Sequence, residues 1–243
     1  MFQKIQGAFS EKLFHGFSTN KTIKLIYGES SKLFSDIIKN EFKKGKYMLL
    51  DIGSHKGELL RDLMLNLTEY DFNTTAIDLD NLDLNKNIAD YKIISDAKQI
   101  PLENKKFDIT ISRYVLAWNS LEDQIKIISE IKRLTKGIAI IQHQGADKKN
   151  PDELQISSHK LFSGIVELLE RKDFYFSTEA EIEGILKKEN IKYKIIQSRK
   201  INGLAELLIE KYSLQDNDAK KTKETLKNSD YIIQSTFILD FRS

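Results

Sequence analysis

Three acidic residues in this sequence each follow a short apolar run, the position at which a buried strand hands a side chain to a ligand. Asp51 closes Tyr47-Met-Leu-Leu, Asp78 closes Thr74-Thr-Ala-Ile, and Asp96 follows Tyr91-Lys-Ile-Ile-Ser. The first runs on through Ile-Gly53-Ser54-His55-Lys-Gly57 into Leu59, Leu60, Leu63 and Leu67, spaced as on one face of a helix. A strand, a tight turn and a helix start are implied. Glycines there let a ligand approach the backbone, and the N–H groups of the first helical turn point at it. The dinucleotide pattern Gly-x-Gly-x-x-Gly is not met, because His55 stands at its second glycine and Glu58 at its third. An acid at the strand end suits a ligand carrying positive charge. Asp78, 27 positions further on, can accept both hydroxyl hydrogens of a ribose, which gives orientation as well as energy.

The elements that must hold these acids follow from periodicity. Strands are expected at Tyr47–Asp51, Thr74–Asp78, Tyr91–Ile94, Phe107–Ser112, Ile138–Ile141, Lys192–Ser198 and Tyr231–Phe241. Ahead of them, Ile23, Leu25, Ile26, Leu33, Phe34, Ile37, Ile38 and Phe42 form the apolar stripe of a helix that packs on the sheet. Asp80 and Asp83 read as caps of the next helix. Ser120-Leu-Glu-Asp123 opens a helix bearing Ile127, Ile128, Ile131 and Leu134, with Lys136-Gly137 as its C-cap, and Ser177-Thr178 opens another that reaches about Lys188. Helices are also expected over 154–171, 203–212 and 218–227. The fifth strand delivers Gln142, His143 and Gln144 to the sheet edge where open α/β sheets bind ligands.

In this order the motifs resemble those of the class I S-adenosylmethionine-dependent methyltransferases. Asp51, Gly53 and Gly57 match the first motif, acid-x-Gly-x-Gly-x-Gly, with His55 departing from its middle glycine. The resemblance runs motif by motif over about 47–143 and in strand pattern alone beyond. It implies a Rossmann-like, seven-stranded, mostly parallel sheet with helices on both faces, an antiparallel last strand and helical lid insertions. It implies S-adenosylmethionine as cofactor and S-adenosylhomocysteine as product. Asp51, Gly53, Ser54, His55 and Gly57 would form the cofactor turn, Asp78 would take the ribose, Leu79 would bind the cofactor beside it, Asp96 and Ala97 would read the adenine, and Arg113 would lie beside the pocket. Tyr27, Tyr114 and Trp118 would face the acceptor. Tyr114 and Trp118 can equally be core, and Arg113 can equally be held by a neighbouring acid.

Composition fits one such domain over 1–243, with a helical cap at 1–46, a cofactor core at 47–144, and lid segments at 145–190 and 203–228. A net charge of +2 makes a dedicated nucleic-acid partner unexpected, and Lys43, Lys44 and Lys46 read as a solvated face. Cysteine is absent, which excludes disulfides, thiolate zinc sites and a thiol nucleophile. No long apolar run or signal-peptide pattern is seen, so a cytoplasmic protein with no membrane partner is expected. No His, Asp and Glu spacing suits a metal.

Methyl transfer from a sulfonium is an in-line displacement, so alignment and exclusion of water supply most of the catalysis. A base helps only when the acceptor must lose a proton. His143 is the candidate, since imidazole titrates near neutrality, with a hydrogen-bonded structural role as its alternative. His15 and His159 read as surface or packing residues. The leading expectation is methylation of an oxygen or nitrogen of a small metabolite or secondary-metabolite intermediate. An RNA or protein methyltransferase and a non-catalytic cofactor binder are the alternatives. The adenine-N6 signature is replaced by Ser112-Arg113-Tyr114, and a cytosine-C5 mechanism lacks its cysteine.

Overall fold

The computed structural model describes residues 21–146, 175–202, 205–206, 209, 216–225 and 231–242, apart from the side chains of 21–28, 201–202, 218, 221–222, 225 and 231–232. Seven strands form one sheet: β1 Lys46–Ile52, β2 Asp71–Asp78, β3 Tyr91–Ile94, β4 Phe107–Arg113, β5 Thr135–Gly145, β6 Lys192–Asn202 and β7 Tyr231–Asp240. Their spatial order is β3-β2-β1-β4-β5-β7-β6. The first five are mutually parallel, while β7 runs antiparallel to both β5 and β6. The expected sheet and its reversed last strand are both present.

Parallel strands are buried on two faces, so they read as continuous apolar runs. Leu49 to Ile52 and Thr74 to Ile77 are buried without alternation. On one face lie α1 (Lys21–Glu41) and α2 (Glu58–Asn66), burying Phe34, Ile37, Ile38, Leu59, Leu60 and Leu63 against Leu49, Ile109, Ile111 and Ile140. On the other, α4 (Leu121–Leu134) and α5 (Glu179–Lys188) bury Ile127, Ile131, Ile182 and Leu186 against Leu50, Ile52, Ala139 and Ile141. Each large aliphatic contributes about 1.5–3 kcal/mol by leaving water. Between these pairs come the short α3 (Asn81–Leu84) and, near the end, α6 (Asp216–Thr225).

Local signals act as expected at most helix starts. Ser120 accepts from the Asp123 N–H at 3.2 Å, Asp80 from that of Leu82 at 2.8 Å, and Thr178 and Glu181 close a reciprocal box around the first turn of α5. At Lys136-Gly137 the reading is corrected. α4 ends at Leu134, and both residues already belong to β5. A Cβ on Gly137 would sit 2.1 Å from the Asp108 carbonyl oxygen, so this glycine serves a close strand approach and not a helix end. The expected helix over 154–171 lies outside the described residues, as do His15, His159 and most of 203–212.

Candidate active site

The C-terminal ends of β1, β2 and β4 meet at one edge of the sheet, with Asp51 and Ala76, and Asp51 and Ile111, as register partners. Between them the turn after β1 is pinned to β2. The N–H groups of Gly53 and Ser54 both donate to the Ile77 carbonyl, at 2.9 and 3.0 Å, and that of His55 donates to Asp78 Oδ2 at 2.8 Å. Gly53 has φ 71°, and a Cβ there would lie 2.2 Å from Val115 Cγ2. Only glycine lets the turn and the end of β4 come this close. His55, at the family's middle glycine, has φ 47°. Histidine enters the left-handed region more readily than most side chains, so the turn keeps its shape despite the substitution.

The His55 side chain does not merely fill space. Its Nε2 contacts Asp83 Oδ2 and its Nδ1 lies 3.5 Å from Glu58 Oε2. Burial disfavours the imidazolium, but the Asp83 and Glu58 carboxylates outweigh it and hold the histidine above its ordinary value. Asp83, 2% exposed, is therefore the partner of His55 and of Lys56 (3.6 Å) as well as a first-turn residue of α3. Asn87 is a site residue the sequence did not announce. Its Nδ2 donates to Ser54 Oγ at 2.7 Å and to the His55 carbonyl at 3.1 Å, while its Oδ1 accepts from the Ala89 N–H at 3.0 Å. No pattern marks it, because its partners come from a turn 33 residues earlier.

Asp51 is 2% exposed and accepts from Ser54 Oγ at 2.6 Å. Burial pushes its carboxyl up to about 6, against the pull of the Ser54 hydroxyl and the Arg113 guanidinium. Burial outweighs both. Asp78 also accepts from the Asp80 N–H at 3.1 Å. Leu79, just beyond, is 57% exposed although apolar. Asp96 accepts from the Lys98 N–H at 2.9 Å and pairs with Lys98 Nζ at 3.4 Å, and Ala97 packs on the core beneath. Asp51, Gly53, Ser54, His55, Gly57, Asp78 and Arg113 are thus brought together, and Leu79, Asp96 and Ala97 follow at the neighbouring strand ends.

On the acceptor side the expectations fare unevenly. Tyr114 has φ 63°, is 6% exposed, and lies under the Arg113 guanidinium at 5.9 Å. A bulky residue in this backbone region stores strain at the end of β4. Trp118 lies partly buried in the single turn Leu116–Trp118. The Tyr27 side chain lies outside the described residues. His143 requires a correction. It is 1% exposed on the α4 and α5 face, and its Nε2 donates to the Ser177 carbonyl at 2.9 Å. Burial drives its pKa down to about 4. The expected titration near neutrality is absent because the segment before α5 closes over the ring. A Cβ at Gly145 would lie 2.2 Å from that same Ser177 oxygen.

Residues 50–141 match the family model described as a methyltransferase domain. Over those residues the chain carries a methyltransferase domain. Among curated proteins none is significantly similar in sequence. Solved structures repeat the fold of this chain at low identity. The YcgJ protein of Bacillus subtilis is 14% identical, with TM-score 0.70 over 89% of this chain and 99% of its own. Geranyl diphosphate C-methyltransferase of Streptomyces coelicolor, solved with Mg2+, geranyl diphosphate and S-adenosylhomocysteine, is 10% identical, with TM-score 0.59 over 92% and 85%. Phosphoethanolamine N-methyltransferase 2 of Haemonchus contortus, solved with phosphomonomethylethanolamine and S-adenosylhomocysteine, is 18% identical, with TM-score 0.56 over 87% of this chain and 52% of its own. The last two are a C-methyltransferase and an N-methyltransferase, so the shared fold leaves the acceptor open.

The residues present fit the cofactor. A buried carboxylate at one strand end and an exposed leucine beside the acid at the next complement an ammonium and a base with its ribose, respectively. No described helix is long and apolar enough to cross a membrane.

Proposed function

We propose that this methyltransferase acts on an oxygen or nitrogen of a small-molecule metabolite, with 21–146 and the described parts of 175–242 working as one domain. The carrying observation is the contact between Ser30 of α1 and Gln142 at the end of β5, where the serine hydroxyl donates to Gln142 Oε1 at 2.6 Å. Both residues are 1% exposed. The first half of α1 therefore covers the sheet face as far as the end of β5, beyond the cofactor turn, and cover reaching that edge suits a small-molecule acceptor better than a polymer. The near-neutral charge supports the same reading. α5, which buries Ile182, Ile185 and Leu186 on the sheet, belongs to the core and not to the roof.

In this reading Asp51 receives the ammonium of the bound cofactor, the turn Gly53 to Gly57 follows its methionine portion, Asp78 takes the ribose, and Leu79 with Asp96 and Ala97 borders the adenine. S-adenosylmethionine, when bound, supplies an electrophilic methyl group. The chain's own part is to align and exclude water. With His143 buried and neutral, no base is offered from β5. An amine that arrives unprotonated needs none, and nitrogen is accordingly the favoured acceptor atom.

Methyl-labelled S-adenosylmethionine incubated with the low-molecular-weight, RNA and protein fractions of a cell extract tests the proposal. Label is expected in the first fraction. Label confined to RNA or protein would overturn it. Tyr27 and Trp118 remain assigned to the acceptor space by family resemblance alone.

A further inference from the structure

His55 holds both ends of one short stretch of chain. Its backbone N–H donates to the Asp78 carboxylate at 2.8 Å, where β2 ends, and its ring Nε2 pairs with the carboxylate of Asp83 in α3. Between these anchors lies Leu79, the exposed leucine assigned above to the adenine side of the cofactor. Asp83 is not occupied in capping its own helix. Asp80 does that, accepting from the N–H groups of Leu82 and Asp83. The Asp83 side chain is instead turned back on the cofactor turn and is 2% exposed, a costly place for a carboxylate unless cations meet it. The His55 ring and Lys56 Nζ, at 3.6 Å, supply them.

Resting on the assignment of the 53–57 turn and Leu79 to the cofactor, we infer that Asp83 is a positioning residue for S-adenosylmethionine, acting through the His55 imidazolium to latch the adenine-side segment 78–83 onto the cofactor turn. Among the described residues the charged groups about the ring are Asp83 of α3, Glu58 in the first turn of α2 at 3.5 Å, Asp78 of β2 at its backbone and Lys56 beside it, with Arg113 of β4 acting on Glu58 from further off. Burial disfavours charge on His55, Asp83 and Glu58 alike. Even so, the histidine is held above its ordinary value by the two acids, and both acids below theirs by the histidine, as in a mutually ionised set. Asn87 also ties this region to the turn, but through neutral hydrogen bonds. Only the latch titrates. A segment already held loses less freedom when a ligand binds, so the cofactor binds the latched form better, and by linkage its binding must raise the His55 titration.

His55→Gly tests this, because glycine keeps the left-handed backbone and removes the ring. Asp83→Asn keeps the volume of the acid and removes its charge. The probe is S-adenosylhomocysteine, which lacks the sulfonium charge that an imidazolium would repel. In calorimetry from about pH 6.5 to 9, the ratio of wild-type to H55G affinity should fall by about fivefold or more, the lower end of coupling between linked sites. Taking the ratio removes the titrations of the ligand and of Asp51, which both proteins share. In D83N the fall should come at lower pH, since the acid that retains the proton is gone; if D83N fails to fold, H55G carries the test. Histidine labelled with carbon-13 at Cε1 measures the same coupling independently. The His55 signal, assigned among the four histidines by its loss in H55G, should titrate about 0.7 pH unit higher with saturating S-adenosylhomocysteine, the equivalent of fivefold in affinity. A purely structural pair would lower stability in both variants yet leave the ratio level with pH and the His55 midpoint unmoved by ligand, and that result would overturn the latch. Wild type that binds no S-adenosylhomocysteine at any pH would overturn the cofactor reading and the positioning role with it, an outcome distinct from binding that is level with pH.

Discussion

The backbone N–H of His55 donates to the Asp78 carboxylate at 2.8 Å, so the turn after the first strand and the acid ending the second are a single unit. Removing the acid therefore acts twice. Asp78→Ala loses the ribose contacts proposed for it and one of the turn's ties to β2, while the two bonds to the Ile77 carbonyl remain. Calorimetry should show weaker binding of S-adenosylmethionine and S-adenosylhomocysteine by about 1.5–3 kcal/mol, the worth of hydrogen bonds to a charged group. Asp78→Asn, which keeps an acceptor for His55, should lose less than Asp78→Ala. Equal losses would separate the turn from the ribose site.

The Asn87 amide group does for the turn what no backbone group does. Asn87→Ala leaves the Ser54 hydroxyl and the His55 carbonyl without this buried donor. Urea unfolding should show a loss of about 1–3 kcal/mol, and cofactor affinity should fall with it. Full affinity at reduced stability would show that Asn87 supports the fold alone.

Gly53→Ala meets both a left-handed φ and Val115 Cγ2 at 2.2 Å. The end of β4 must retreat or the turn must rise. Cofactor affinity is expected to fall by more than about tenfold, while the paired change Gly53→Ala with Val115→Ala should recover part of it, as contacting sites do not add. No recovery would place the conflict elsewhere.

Asp51 and His143 give opposite pH dependences. The Asp51 pKa is raised from 3.8 to about 6, so its folded form binds the proton more tightly and its contribution to stability, full below pH 3.8, is lost as pH rises through about 6. The His143 pKa is lowered from 6.5 to about 4, so its contribution, full above pH 6.5, is lost as pH falls through about 4. Each amounts to roughly 3 kcal/mol at most, from about 1.36 kcal/mol per unit. Relative to wild type, stability between pH 7 and 4 should fall more steeply toward acid in Asp51→Asn and rise toward acid in His143→Gln, as denaturant unfolding reads. Cofactor affinity should rise with pH through about 6, as Asp51 ionises beneath an ammonium.

His143→Gln should leave the turnover rate near wild type at neutral pH, because a ring with pKa about 4 and its Nε2 on Ser177 takes no proton from an acceptor there. Single-turnover measurement on the labelled acceptor decides this. A fall of about 100-fold or more would restore the base role.

The strand ends, their order and the three acids were legible in the sequence because apolar period and turn residues act over a few positions. The shape of the turn was legible to the same depth: Asp51, Gly53, Gly57 and Asp78 stand where local pattern places them, and His55 too adopts a left-handed backbone. Tertiary structure decided what local pattern cannot carry, namely which group covers which. Gly137 looked like a helix end until the Asp108 carbonyl was found against it. Asn87 acquires meaning only from a partner 33 positions away, and Asp83 only from His55. His143 changed most, for a strand end exposes its side chain or buries it according to the segment laid across it, and here the carbonyl of Ser177 converts a candidate base into a neutral, buried ring.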